Sequence, residues 1–216
     1  LAADLGWQIA VAAWIGWAAI WVLAAKRAGS PKRRDGLKAA IFYRVPFIAG
    51  GILLLASPFI SGGGLPRQLV PIGLLLLIAG LAFSLWARRH LGRNWSGRVA
   101  VLNGQSLIQT GPYRLVRHPI YAGAFLALAG TAIAVGGWVA LAAAPIAAIG
   151  LVVKTLREER SLMAHFGKDF AVYQRLVPAL VPFVESRFAP PGATRALARA
   201  TDGSGNRARA EPAAPA

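Results

Sequence analysis

Apolar residues fill five long stretches of the chain, near Leu5–Ala25, Val45–Ile60, Leu69–Ala87, Ile120–Val135 and Trp138–Val153, with the polar residues gathered between them. A helix needs about 20 apolar residues, and tolerates about 17, to cross a hydrocarbon core. The first and third runs meet that length, and the second does so with Tyr43 and Arg44 at its edge. The last two are short, and are expected as a helical hairpin that turns at Gly136-Gly137, with Pro119 and Lys154 at its feet. Beyond the fifth run, Leu156, Glu159, Leu162, Met163 and Phe166 recur at spacings of three and four, so this helix is expected to continue until Gly167 stops it. A short helix around Asp169–Leu176 follows. The pattern predicts an all-α, polytopic helical membrane protein with five transmembrane helices and a C-terminal helical segment outside the bilayer. Three parts result: three spans over 1–87, a region of loop, hairpin and C-terminal helices over 88–186, and a disordered tail over 187–216, rich in Ala, Arg, Pro and Gly.

The basic residues test this span count. The 216 residues include 24 Lys and Arg against 8 Asp and Glu, a formal charge of +16. Seven basic residues lie between the first and second runs, six between the third and fourth, and ten after the fifth, while Arg67 alone falls on the other side. Five spans therefore put 23 of 24 on one face. Positive charge concentrates in short cytoplasmic loops, so the N-terminus is expected outside and the C-terminus in the cytoplasm. The same charge in a soluble domain would suggest nucleic acid; here it reads as a topology signal and an attraction to anionic lipid headgroups, and no nucleic-acid partner is expected. Leu5–Ala25 reads as a span and not as a secretory signal, because Asp4 stands where a cationic n-region would be. With no cysteine, and with His90, His118 and His165 not at metal-ligand spacing, no metal site is expected.

Within the spans, Trp7, Trp14 and Trp21 recur every seven residues with Trp17 beside them, a stripe that suits packing or lipid contact. Gly123, Ala127 and Gly130 give the fourth helix a small-residue face, for which the fifth helix is the expected neighbour.

Polar chemistry is concentrated in two places. In Gly111-Pro112-Tyr113-Arg114-Leu115-Val116-Arg117-His118-Pro119-Ile120-Tyr121-Ala122-Gly123, Gly-Pro makes a turn and Pro119 suits the first turn of a helix. Arg117, His118 and Tyr121 then gather at a helix entrance whose free N–H groups would welcome an anion. A juxtamembrane collar of snorkelling arginines and belt tyrosines accounts for the same residues equally well. The second place is Lys154-Thr155-Leu156-Arg157-Glu158-Glu159-Arg160, then His165-Phe166-Gly167 and Tyr173. Adjacent glutamates point about 100° apart on a helix, so at most one faces the bundle while the other can pair with Arg160, Arg157 or Lys154; carboxylates at a membrane edge are functional candidates, but from these residues alone a solvated helix face accounts for them more readily. Both places emerge on one face of the membrane.

These residues resemble the isoprenylcysteine carboxyl methyltransferase family of integral membrane methyltransferases. The resemblance rests on the Gly111-Pro112-Tyr113 turn, Arg117-His118-Pro119-x-Tyr121-x-Gly123, Glu158-Glu159-x-x-Leu162, Phe166-Gly167, and Tyr173 ahead of Val177-Pro178, in matching order from Leu91 to Pro182. It implies that S-adenosylmethionine binds at the cytoplasmic ends of the last helices, beneath the C-terminal segment, and that a lipophilic acceptor, such as the carboxylate of a prenylated cysteine, enters from the bilayer. It implies cofactor contacts at Gln105, Leu107, Gly111, Tyr113, His118, Pro119, Tyr121, Glu159 and Tyr173, and catalytic roles among Arg117, Arg157, Glu158 and Glu159. In this reading His118 and Tyr121 hold the methionine carboxylate or adenosine, a glutamate holds the ammonium or ribose, and Arg157 or Arg117 holds the acceptor's anion through a bidentate pair. Gln105 departs from the family, many of whose members carry histidine there; it forms hydrogen bonds but cannot become cationic.

The chain has no strand-Gly-x-Gly-helix pattern of the Rossmann-type methyltransferases, so a different fold must hold the cofactor. Phospholipid or thiol acceptors are the alternatives within the superfamily. Outside it stand an NADPH-dependent sterol-reductase-like enzyme, which would carry more spans, and a non-enzymatic membrane scaffold, which gives no reason for two polar clusters to converge.

Overall fold

The computed structural model describes residues 2–25, 31–34, 37–60, 64–92, 100–102 and 106–182. Six helices dominate: α1 (Ala2–Ala25), α2 (Leu37–Ile60), α3 (Val70–Leu91), α4 (Pro119–Val135), α5 (Trp138–Phe166) and α6 (Lys168–Leu176). Among the described residues, four stretches, Leu5–Ala24, Ala40–Ile60, Arg67–Leu91 and Trp138–Phe166, are long and apolar enough to cross a membrane, and α4 is a shorter apolar helix of 17 residues. The protein is an integral membrane protein of helical class. Two helices outrun the apolar runs that predict them: α2 begins at Leu37, and α3 continues through Arg88, Arg89 and His90. The tail expected over 187–216 lies outside the described residues.

Successive helices reverse direction. At one end of the bundle Arg88 Nη2 donates to the carbonyl of Ala24, 3.0 Å away, and strands β1 (Pro31–Arg34) and β2 (Ala100–Leu102) pair antiparallel. This small ribbon, which alternating apolar runs do not predict, joins the segments after α1 and α3. At the other end the Leu65 amide donates to the Gly136 carbonyl at 2.6 Å, and Gly64 bridges Gly137. The hairpin turns where expected. Gly136 closes α4 at φ +74°, a left-handed conformation that suits glycine at a helix C-terminus.

The α4 small-residue face does not pack on α5 as expected. It meets α3: a Cβ on Gly123 would lie 2.4 Å from the Gly80 carbonyl oxygen, and one on Gly130 would lie 2.6 Å from that of Gly73. α3 presents glycines seven residues apart, so the two backbones come together along matched rows. α5 uses its own small residues on α2, where Gly50 lies against Ala147 and Gly150 against Phe47. With ten of its residues buried, α4 is the central helix of the bundle, which suits its short length because protein surrounds much of it.

The tryptophan stripe ties α1 to three other helices. The indole N–H groups of Trp7, Trp14 and Trp17 donate to the Leu55 carbonyl (2.7 Å), Thr131 Oγ1 (3.0 Å) and Ser84 Oγ (2.7 Å). Lipid offers such donors no partner, so each indole must find one inside the protein.

Candidate active site

The loop before α4 and the chain after α6 build the site together. Gly111, at φ +59°, lies so close beneath His90 that a Cβ there would approach the imidazole to 2.6 Å. The following 3-10 turn buries Tyr113, which stacks on His90 at 6.4 Å. The Tyr173 hydroxyl donates to the Tyr113 carbonyl at 2.5 Å, and Phe170, Tyr173 and Val177 form an apolar cluster with Leu107 against it. Burial raises the pKa of both phenols, Tyr113 further through the neighbouring Glu158 charge, so both stay protonated donors. The Arg117 and His118 amides donate to the carbonyls of Pro178 and Ala179, at 2.8 and 3.0 Å. The amides expected to await an anion are therefore taken by the protein's own C-terminal strap. Orphan donors at a helix entrance need partners, and a nearby strand of chain supplies them.

His118, 4% exposed, precedes Pro119 and reaches both glutamates of α5. Its Nε2 lies 3.2 Å from Glu159 Oε1, and its Nδ1 lies 3.8 Å from Glu158 Oε2. Burial alone would favour the neutral ring, but the two adjoining carboxylates, Glu158 and Glu159, outweigh it and raise the pKa. The two carboxylates differ in their other partners. Glu159 Oε1 accepts from Arg117 Nε (2.9 Å) and Nη2 (2.6 Å), and its Oε2 accepts from Gln174 Nε2 (3.1 Å). Glu158 Oε1 accepts a short hydrogen bond from the Tyr121 hydroxyl. The remaining Arg117 nitrogen, Nη1, donates to the carbonyls of Gln174 (2.9 Å) and Val177.

Beside Tyr121 lies a cavity of about 200 Å3, walled by Trp17, Trp21, Tyr43 and Phe47 and carrying the cations Arg44 and Lys154. The Lys154 ammonium sits over the rings of Tyr121 and Tyr43, at 5.3 and 5.6 Å. Trp17 and Phe47 also wall a second, almost wholly apolar cleft of about 430 Å3 between α1 and α2, with Ile15 and Ala18 on one side, Ile48 and Ile52 on the other, and Leu128 of α4 behind.

The structure thus brings together Arg117, His118, Tyr121, Glu158 and Glu159, with Pro119 buried beneath them and Leu107, Gly111, Tyr113 and Tyr173 in the adjoining layer. Arg157, half-buried on α5, does not line the cavity, and Gln105 lies outside the described residues. Sequence reasoning did not assign Gln174, for which no pattern exists, or the cavity residues Tyr43 and Arg44, and it placed Lys154 in the second polar cluster without giving it a role. Tyr43 and Arg44 did stand out as a polar edge on an apolar run. For S-adenosylmethionine the donor set fits: carboxylate capacity at Glu158 suits its cationic groups, beside a cavity with aromatic walls.

Fold and site together define a helical membrane protein with a cluster of buried polar side chains at one end of its bundle, beside apolar clefts. Residues 72–165 match the model of the isoprenylcysteine carboxyl methyltransferase (ICMT) family. It is similar to methanethiol S-methyltransferase 2 of Bradyrhizobium diazoefficiens, 38% identical over 86 residues that cover 40% of this chain and 32% of that protein. It is also similar to protein-S-isoprenylcysteine O-methyltransferase B of Arabidopsis thaliana, 29% identical over 122 residues that cover 52% of this chain and 58% of that protein. The chain matches about a third of the length of the first relative and somewhat over half of the second.

Proposed function

We propose that the protein is an S-adenosylmethionine-dependent methyltransferase whose acceptor is a lipophilic molecule with an anionic end, of the prenylcysteine carboxylate type. One observation carries this reading: an apolar cleft shares Trp17 and Phe47 with a cation-bearing aromatic cavity, and that cavity is walled by Tyr121, whose hydroxyl donates to Glu158. The acceptor's apolar chain enters sideways between α1 and α2, and its carboxylate meets Lys154 and Arg44. Methanethiol, the compound named for the Bradyrhizobium relative, has two heavy atoms and needs no cleft of 430 Å3. The bundle end carrying this group faces the cytoplasm, because 23 of the 24 basic residues fall there in the five-span arrangement. The same belt of charge meets anionic headgroups.

S-adenosylmethionine, when bound, supplies a methyl group on a sulfonium that is already an activated leaving group. The chain's own residues bind, orient and keep water away. Glu158 attracts the cofactor's cationic groups, with its carboxylate oriented by Tyr121. Lys154 and Arg44 hold the acceptor carboxylate in its ionised, nucleophilic form, so no general base is required. Indole and phenyl rings line the cavity and exclude water.

Calorimetric titration of the detergent-purified protein with S-adenosylhomocysteine and with NADPH tests the cofactor. Transfer of labelled methyl to a prenylcysteine analogue, a phosphatidylethanolamine and methanethiol tests the acceptor. We expect S-adenosylhomocysteine to bind and E158Q to weaken it about tenfold or more. NADPH binding in its place, or binding of neither, overturns the reading.

A further inference from the structure

The two neighbouring glutamates sit in different hydrogen-bonding situations. A carboxylate has about four lone-pair positions. On Glu159 three donors converge on Oε1, from Arg117 Nε, Arg117 Nη2 and His118 Nε2, and Gln174 Nε2 occupies Oε2. Glu158 accepts from Tyr121 at Oε1, while its Oε2 lies 3.8 Å from the imidazole, beyond hydrogen-bond length.

The groups that saturate Glu159 also fasten the C-terminal strap. Arg117 holds the Gln174 and Val177 carbonyls with the guanidinium that pairs with Glu159, and Gln174 reaches back to the same carboxylate with its side chain. The strap carbonyls of Pro178 and Ala179 then receive the amides of Arg117 and His118. α5, the entrance of α4 and the strap after α6 thus close on one carboxylate.

We propose that Glu158 is the carboxylate offered to the reacting molecules, and that Glu159, Arg117 and Gln174 are positioning residues, forming a latch that docks residues 174–179 and sets His118. This rests on the methyltransferase reading and deepens it, by removing Glu159 and Arg117 from direct contact with cofactor and acceptor and adding Gln174. Glu159 holds His118 from one side so that the imidazole can serve Glu158 on the other. Arg117, with all three nitrogens engaged, has no edge left for a bidentate grip on an acceptor anion.

The test pairs hydrogen exchange over residues 168–182 with S-adenosylhomocysteine titration and steady-state kinetics. In Q174A, exchange over this segment speeds up several-fold, and the dissociation constant and KM rise about three- to tenfold with kcat little changed. Q174K, whose amine donates to Glu159 in place of the amide, restores both. E158Q leaves the exchange at its wild-type rate and lowers affinity and kcat. E159Q follows Q174A in exchange. Two results would overturn the proposal: Q174A with wild-type exchange and affinity, or E158Q loosening the strap as E159Q does. A wild-type chain that binds no S-adenosylhomocysteine sinks the methyltransferase reading, while the exchange comparison still decides whether the latch exists.

Discussion

Tyr121 stands where two environments meet, its ring under the Lys154 ammonium in the cavity wall and its hydroxyl on Glu158. A hydrogen bond to a charged group contributes about 1.5–3 kcal/mol, so Y121F should lower the thermal midpoint by several degrees and turnover roughly tenfold or more; unchanged turnover would refute its orienting role. His118 is faced by Glu158 and Glu159 from α5, with Arg117 and Tyr121 on its own side. Because its folded-state pKa is raised, its stabilisation is complete below the unfolded histidine value near 6.5 and is lost as pH rises through the higher folded value. The thermal midpoint in detergent should therefore decline on the alkaline side for the wild type, and H118Q should lack that part of the decline. Parallel curves would show that the ring is neutral. Both residues were visible in Arg117-His118-Pro119-x-Tyr121, because tight turns and helix entrances use characteristic residues. Gln174 was not, since an exposed-looking amide in a short helix gains meaning only from the carboxylate it reaches.

The helices are held by backbone proximity and by a few polar tethers. A side chain at Gly123 must displace the α3 backbone at Gly80 or the chain at Ser84. Overpacking of this kind costs about 1–3 kcal/mol, so G123V should lower the thermal midpoint by several degrees or prevent folding. The same change at Gly16, where a Cβ meets nothing within 4 Å, should be tolerated. W14F removes the α1 bond to Thr131 at a cost of about 1 kcal/mol and should loosen α1, measured as faster exchange in its central turns. The heptad of tryptophans and the Gly-x3-Ala-x2-Gly face could be read along the chain. Their partners could not, because a small-residue face states only that some backbone approaches closely. That α3 carries the matching Gly73 and Gly80 row is a relation between two distant segments.

At the scale of the molecule, the chain's lack of cysteine makes topology directly measurable. Single cysteines at R67C and R160C in sealed vesicles should label from opposite sides, and R34C should follow R160C; R67C and R160C labelling from one side would reject the alternating arrangement. The sequence by itself determined the class of protein, the reversal of successive helices, the hairpin and the position of both polar clusters, because bilayer thickness, charge asymmetry and helix-stopping glycines act locally on composition and spacing. Only the tertiary structure decided which helix α4 packs on, that the amides at its entrance are occupied by the C-terminal strap, and how neighbouring Glu158 and Glu159 differ. These outcomes depend on contacts between separate elements, such as Gly123 with Gly80, Tyr121 with Glu158 and Arg117 with Val177, and no local pattern encodes which distant group meets which.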